Sequence, residues 1–190
     1  MKETVLGILA THIDSMLPAK ASLLCYWIKD YVRMLRQEKT AKKFRRYNRG
    51  DVVKVHLGYR IGAEEGGLHF AVVLNKADST HNPVLTIVPL TSLKEPKQIE
   101  RLYPGDIFLG SILQQMIFNK AMNNPSAALD KELSKIKWGS IALVNQITTV
   151  SKIRIYDPVK NSDSLNNIRF DAEIMDQIDD GIKNLFMYNA

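Results

Sequence analysis

A short glycine-rich segment holds the residues of this sequence that are best suited to chemistry. The segment from Gly58 to His69 has four glycines and four residues that are charged or titrate near neutral pH, namely Arg60, Glu64, Glu65 and His69. Loops of this composition combine backbone freedom with polar side chains, and binding and catalysis concentrate in them. An imidazole has a reference pKa of about 6.5, so His69 is a candidate general acid or base near neutral pH. The alternative is a histidine that is simply packed or solvated beside a strand.

Other kinds of site are disfavoured by the same segment. It contains neither Gly-x-Gly-x-x-Gly nor Gly-Lys-Ser/Thr, so it does not match a nucleotide-binding loop. Glu64, Glu65 and His69 do not form a His-Glu-x-x-His motif, and the segment has no second histidine or cysteine. We therefore expect no metal and no other cofactor. No nucleophile-elbow sequence supports Ser/His/Asp hydrolysis.

Positive charge is concentrated around the start of this segment. Residues 39–54 have seven cationic side chains and one acidic side chain, which accounts for the whole net charge of +6. The cations are Lys39, Lys42, Lys43, Arg45, Arg46, Arg49 and Lys54. Such a cluster attracts polyanions such as nucleic acid with salt-sensitive, sequence-independent affinity. The alternative is a solvated linker that keeps the protein soluble.

The elements that would position these residues are two helices followed by short strands. Apolar side chains recur every three or four residues between 3 and 40, and Pro18 divides this run into a short helix and a longer one. Their apolar stripe must cover either the core or a partner. Runs rich in valine and isoleucine predict strands at 51–57, 70–74, 85–90, 141–144 and 153–156. Short strands with polar turns predict an antiparallel barrel or a small sandwich.

The remaining chain predicts an insertion and a final helix. Proline and glycine interrupt residues 95–137, and a helix is predicted there at 127–136. Asp171 can cap a helix whose apolar side chains recur at helical spacing up to Phe186. We therefore predict an N-terminal helical extension at 1–40 and a barrel domain at 41–190, with a partly helical insertion at about 95–137.

The composition also limits where the protein works. No stretch approaches the roughly 18 apolar residues that a membrane helix needs. The first residues make a poor signal peptide, because an acidic residue stands at position 3 and polar side chains soon interrupt the apolar patch. The single cysteine, Cys25, excludes an internal disulfide. We expect a cytoplasmic protein that does not associate with membranes.

An ordered set of short motifs resembles the MazF/PemK family of toxin ribonucleases. The matching pieces are Arg-Gly-Asp-Val-Val at 49–53, Gly-Ala-Glu-Glu-Gly-Gly at 62–67, Ala-Val-Val-Leu at 71–74, Val-Pro-Leu-Thr-Ser at 88–92, and the segment 138–150. The resemblance covers roughly residues 48–92 and 138–186. It implies an α+β fold, a small antiparallel SH3-like β-barrel with a C-terminal helix that usually forms a homodimer. It also implies metal-independent cleavage of single-stranded RNA and neutralisation by a cognate antitoxin.

The family's site positions can be carried over residue by residue. Its motif Gly-Gly-x-Arg-Pro corresponds to residues 66–70, so His69 stands where the family has its catalytic arginine, and the family's catalytic threonine corresponds to Thr91. We expect His69 to act as general acid/base and Thr91 as hydroxyl donor to the phosphate. A neutral histidine supplies less fixed positive charge than arginine, so we expect Arg60 to act as an electrostatic clamp, with a cation of residues 42–54 as the alternative. The expected RNA-binding residues are Arg49, Lys54, Glu64, Glu65, Gly66, Gly67 and Ser92.

Two classes of function follow from this pattern. The leading hypothesis is a toxin endoribonuclease that leaves 2′,3′-cyclic phosphate and 5′-hydroxyl ends. The alternative is a non-catalytic module on the same scaffold. It would bind nucleic acid through the basic segment, or bind a protein as CcdB-like toxins bind DNA gyrase. The histidine at the arginine position favours the alternative.

Overall fold

Two helices form the amino terminus of the computed structural model, which describes residues 1–187. They are α1 (Lys2–Ser15) and α2 (Pro18–Glu38). Pro18 stands in the first turn of α2, where its missing N–H leaves no helical bond unmade, so the predicted division is confirmed. No residue of α1 is buried, whereas α2 rests on the sheet. There its Trp27 ring stacks on His56 with the ring centroids 4.6 Å apart.

Seven strands form one antiparallel sheet, and five of them correspond to the β-branched runs of the sequence. They are β1 (Val52–His56), β2 (Leu68–Val73), β3 (Val84–Ser92), β4 (Asp106–Phe108), β5 (Ser140–Leu143), β6 (Thr148–Ser151) and β7 (Ile155–Asp157). The strand order is β4-β5-β3-β2-β1-β7, and β6 pairs with the first half of β3. Strands β4 and β6 are short and were not predicted. The last predicted strand begins two residues later than expected, because residues 152–154 form a 3-10 turn.

The sheet stays open within residues 1–187, which corrects the prediction of a closed barrel. Strands β4 and β7 lie at the two ends of the strand order, and each has only three residues. Each is covered by a helix. Gly181 of α5 (Ala172–Phe186) packs so closely on Ile107 of β4 that a side-chain carbon at that position would overlap it. On the other edge, Tyr156 of β7 donates a hydrogen bond to Asp30 of α2. Covered edges need no further strand partner.

The C-terminal helix α5 begins where the sequence predicted. The Asp171 side chain accepts a hydrogen bond from the Ile174 backbone N–H at 3.1 Å, which satisfies one of the free donors of the first turn. Met175 and Ile178 of this helix are buried against the sheet. None of the helices within residues 1–187 is both long and apolar enough to cross a membrane.

The segment predicted as an insertion is part of the core. It contains β4 and two helices, α3 (Ile112–Asn123) and α4 (Ala127–Lys135). The α4 helix was predicted, but α3 was not. Both helices cover one face of the sheet, where Leu113, Ile117 and Leu129 join the main buried cluster.

Alternation along the strands divides the sheet into two faces with separate cores. Val52, Phe70 and Val72 point to the face that α3, α4 and α5 cover. Val55 and Ala71 belong to a second cluster, which includes Tyr47. Side chains of neighbouring positions therefore lie on opposite sides of the sheet, and this decides which site residues can meet.

The ion pair between Lys152 and Asp78 is buried in the protein, next to Tyr47 of the second cluster. The Lys152 ammonium donates to both carboxylate oxygens of Asp78, at 2.8 and 2.7 Å. It also donates to the backbone carbonyls of Arg45 and Ser79, at 3.1 and 3.0 Å. The side chains of Lys152 and Asp78 are only 2% and 0% exposed. The pair therefore ties together three segments that are distant in the sequence.

Candidate active site

His69 in β2 and Thr91 in β3 lie at the same end of two neighbouring antiparallel strands. The register pairs Phe70 with Leu90 and Ala71 with Pro89. His69 and Thr91 come directly after the last of these pairs, and alternation along the strands places both on the face that Ala71 and Pro89 share. Both residues line one cavity. The fold thus brings together the two residues that the resemblance implies are catalytic.

Glu65 forms an ion pair with His69. Its carboxylate lies 2.9 Å from the His69 Nε2 atom, and the two side chains are 26% and 24% exposed. Burial lowers the pKa of His69, but the hydrogen bond and negative charge of Glu65, together with hydrogen bonds to the backbone of Leu90 and Gly66, outweigh burial and raise the net pKa. The same hydrogen bond lowers the pKa of Glu65. The pair therefore favours a protonated imidazole beside an ionised carboxylate.

The loop that carries Glu65 is held by backbone bonds and by one glutamine. The Gly67 N–H donates to the Gly58 carbonyl at 2.8 Å, which closes the loop at its base. Gly67 has φ +81°, a left-handed conformation that favours glycine. Gln146 accepts from the Glu65 N–H and donates to the Ala63 carbonyl, both at 3.3 Å. These contacts position the Glu65 carboxylate opposite His69.

Arg60 lies on the other side of Glu65, outside the cavity that His69 and Thr91 line. Its Nε donates to the Leu57 carbonyl at 2.9 Å, and its guanidinium lies 3.5 Å from the Glu64 carboxylate. Together with Glu64 and Glu65 it lines a separate small cavity of about 170 Å³. The predicted clamp is therefore near the Glu65–His69 pair but does not share a cavity with Thr91.

A cavity of about 340 Å³ opens between the end of the sheet and α4. Four predicted site residues line it, namely Lys54, His69, Thr91 and Ser92. The strand pattern places Lys54 on the face opposite to His69, because Lys54 pairs with Phe70 whereas Val55 pairs with His69. The cavity therefore extends around the end of the sheet and joins side chains from both faces.

The helical insertion contributes residues to this cavity that sequence reasoning missed. Glu132 of α4 is largely buried and forms an ion pair with Lys54. Lys135 lies 3.3 Å from the same carboxylate and is half exposed. Ser140, at the start of β5, also lines the cavity. The one available signal was the spacing of Leu129 and Glu132, which places a glutamate on the buried face of α4.

The basic cluster at residues 39–54 is divided among several contacts. Arg49 donates to the Leu74 carbonyl at 2.6 Å and forms an ion pair with Asp179 of α5. Arg45 and Lys43 line a different cavity, of about 450 Å³, between α2 and β7. Within residues 1–187, no group of three or more His, Cys, Asp or Glu side chains is placed to hold a metal ion.

Comparisons with known proteins identify the family. Residues 48–186 match the model of the PemK-like, MazF-like toxin of type II toxin-antitoxin systems. No curated protein sequence matches the chain. Among solved structures, MazF from Deinococcus radiodurans (crystal form I) is 14% identical with a TM-score of 0.46, covering 76% of this chain and 99% of its own. An endoribonuclease from a mycobacterial species, solved in complex with its cognate antitoxin, is 14% identical with a TM-score of 0.44, covering 76% and 98%. Because the family model matches most of its length, the chain belongs to the PemK-like, MazF-like toxins of type II toxin-antitoxin systems.

Proposed function

We propose that this protein is an endoribonuclease toxin that cleaves single-stranded RNA without a metal ion and leaves 2′,3′-cyclic phosphate and 5′-hydroxyl ends. The observation that carries the proposal is the Glu65–His69 pair, whose histidine lines an open cavity together with Thr91. A partly exposed histidine with a carboxylate partner is suited to proton transfer. Family membership supports the same class of activity.

The reaction requires three things of the site. A proton leaves the ribose 2′-hydroxyl, a proton reaches the leaving 5′-oxygen, and negative charge on the phosphate is stabilised. The 2′-hydroxyl gives its proton to solvent water as its oxygen bonds to phosphorus, and protonated His69 gives its own proton to the 5′-oxygen as the bond from phosphorus to that oxygen breaks. The neutral imidazole then takes a proton back from water. The positive charge of the protonated form also takes over part of the electrostatic role of the arginine that the family motif has at this position. Glu65 keeps the imidazole charged and oriented.

The other predicted site residues bind the phosphate or the RNA strand. Thr91 donates its hydroxyl to a phosphate oxygen on the same face of the sheet. Arg60 acts as the clamp from the neighbouring cavity, where it attracts the RNA backbone. Ser92 contacts RNA within the main cavity, and Lys54 does so together with Glu132. The predicted contact of Arg49 with RNA stays a prediction, because its guanidinium is bonded to α5 and to Leu74.

The remaining expected RNA contacts belong to the loop. Glu64, Glu65, Gly66 and Gly67 form the edge along which the strand passes. A side-chain carbon at Gly66 would lie 3.0 Å from the Gly58 carbonyl oxygen, so glycine at this position lets the two ends of the loop pack closely.

The partners that we propose follow from the family. As a toxin of a type II system, the protein is neutralised by a cognate antitoxin, and it acts as a homodimer in the cytoplasm. Co-expression with the gene encoded next to its own tests the first partner, since a true antitoxin should restore growth and co-purify with the toxin. Light scattering tests the dimer, because a monomer at micromolar concentration contradicts it.

The decisive experiment uses RNA in the presence of a chelator. Purified protein should cut long single-stranded RNA into discrete fragments in excess EDTA. An oligonucleotide whose cleaved position carries 2′-deoxyribose should stay intact, because the attacking hydroxyl is missing. Cleavage of the deoxy substrate would falsify the mechanism. Absence of any product from the all-ribose substrate would remove the enzymatic function altogether.

The second candidate function is a non-catalytic module that binds nucleic acid or protein. The observation that favours it is His69 at the arginine position. Such a module would bind single-stranded RNA or a protein partner without producing fragments. RNA binding through the basic segment alone would survive substitution of His69 and Thr91, and it would fall steeply as salt is added.

A further inference from the structure

Ser140 has a buried hydroxyl that has no hydrogen-bond partner among the described residues. The residue is 2% exposed and lines the cavity beside α4. Its backbone groups are satisfied, since its N–H donates to Gly110 and its carbonyl accepts from Leu109. A buried polar group without a partner is costly and unusual in proteins. A molecule bound in the cavity that Ser140 lines would give this hydroxyl its missing hydrogen bond.

The shape and walls of this cavity restrict what can bind. Its volume of about 340 Å³ is within the range of small-molecule sites. Buried apolar side chains form its inner wall, namely Phe70, Leu90, Leu113 and Ile136. A flat apolar molecule fits such a wall better than a hydrated ion does.

The polar groups at the rim of the cavity are of both signs. Glu132 is held between Lys54 and Lys135, so its carboxylate accepts hydrogen bonds while the two ammonium groups donate. A phosphate would meet the repulsion of this carboxylate, whereas a ring with both donors and acceptors on its edge satisfies all three groups. Ser140 adds a hydroxyl that can donate or accept.

We propose that this cavity binds a nucleobase of the RNA strand next to the scissile phosphate, with Ser140, Glu132 and Lys135 facing its edge. The inference rests on the proposed function, because the same cavity reaches His69 and Thr91. Glu132 accepts from an exocyclic amine, so bases with an amino group bind more tightly than uracil. The helical insertion is thus a specificity element, and α4 supplies the groups that select the base.

Binding of the four nucleoside 3′-monophosphates, followed by NMR titration of the whole protein, tests this inference without any cleavage. We expect adenosine, cytidine and guanosine 3′-monophosphates to bind about 10-fold more tightly than uridine 3′-monophosphate. Ser140→Ala should weaken the tighter group about 5-fold, which is the effect of one hydrogen bond. It should not lower the melting temperature, because no bond within the protein is lost.

Matched variants separate the base site from its surroundings. Ser134→Ala removes a hydroxyl of α4 that bonds to the Lys131 carbonyl on the exposed side, and it should leave nucleotide binding unchanged. Lys135→Ala should weaken all four nucleotides. Equal affinity for the four nucleotides, no binding at all, or a Ser140→Ala variant that binds like wild type would each overturn the proposal. Base-selective binding by a protein that fails to cut RNA would support this site while contradicting the proposed cleavage.

Discussion

The Lys152–Asp78 and Glu65–His69 pairs join the same kinds of charge in two different surroundings. Lys152 makes four hydrogen bonds, and neither side chain of its pair is open to solvent. The Glu65–His69 pair is about one-quarter exposed and borders a cavity. The first pair makes its hydrogen bonds within the protein. In the second pair, the titratable ring of His69 lines the cavity and can contact a molecule bound there.

This difference separates a structural role from a chemical one. A fully enclosed, fully bonded pair stabilises the fold only while both partners are present. Its charged groups already have partners within the protein and are not open to a ligand. A pair at a cavity edge contributes little stability but can exchange protons with a bound molecule. Variants of the two pairs should therefore have opposite effects on stability and on activity.

The largest effect that we expect is on stability, from Lys152→Met. The change leaves the Asp78 carboxylate buried without its cation, and breaking such a pair costs about 3–5 kcal/mol. Urea denaturation should show this loss in the free energy of unfolding, while RNA cleavage per folded molecule is retained. The double variant Lys152→Met/Asp78→Leu should recover much of the stability. A single variant as stable as wild type would show that the pair is not structural.

His69→Ala should have the reverse profile. Loss of a general acid reduces the cleavage rate by at least about 100-fold, while the free energy of unfolding should change by less than about 1 kcal/mol. Single-turnover cleavage and urea denaturation measure the two effects. His81→Ala is the matched control, because His81 is exposed in a loop and should leave the rate unchanged. Equal rates for wild type and His69→Ala would remove His69 from the mechanism.

Thr91→Val tests the second proposed catalytic residue of the cavity that His69 lines. Valine keeps the shape of threonine but cannot donate to a phosphate oxygen, so the rate should fall by about 10-fold, corresponding to about 1.4 kcal/mol of transition-state stabilisation. Thr91→Ser should keep most of the activity. The control is Thr149→Val, at an exposed position of β6. A rate for Thr91→Val equal to that of the control contradicts the assigned role.

Glu65→Gln should have the smallest effect on stability and a distinctive effect on pH dependence. The raised pKa of His69 stabilises the fold fully below pH 6.5, and this contribution is lost as pH rises through the folded pKa. The lowered pKa of Glu65 stabilises the fold above pH 4.5, and this contribution is lost as pH falls through its folded pKa. Glu65→Gln should therefore destabilise by about 1 kcal/mol or less, mainly between these values. Titration of His69 by NMR should show a lower pKa in the variant, and an unchanged value contradicts the pairing.

The sequence predicted the elements whose local signals are strong. Pro18 predicted the break between α1 and α2, and β-branched runs predicted the longer strands. Asp171 predicted the start of α5. The α3 helix was missed because its residues lack a clear apolar stripe, since Phe118 and Met122 are exposed while Leu113 and Ile117 are buried. Short strands such as β4 are stabilised by their neighbours, and no local pattern indicates them.

Site residues could be predicted only where they belong to a motif of the family. His69 and Thr91 were predicted from the family resemblance, and the fold places both on the wall of one cavity. The contacts of Lys54 could not be predicted, because Glu132 is 78 residues away in the sequence and only the packing of α4 brings it near. The same applies to Ser140, whose missing hydrogen bond is a property of the folded chain.

The most direct test of the account is the pH dependence of single-turnover RNA cleavage by wild type and His69→Arg. In the proposed mechanism, a charged His69 serves in place of the family's arginine. Wild-type activity should therefore fall as pH rises through the pKa of His69, whereas His69→Arg should stay active at high pH, because a guanidinium does not titrate there. A wild-type rate that does not decline at high pH, or a His69→Arg variant with the same decline, would contradict it.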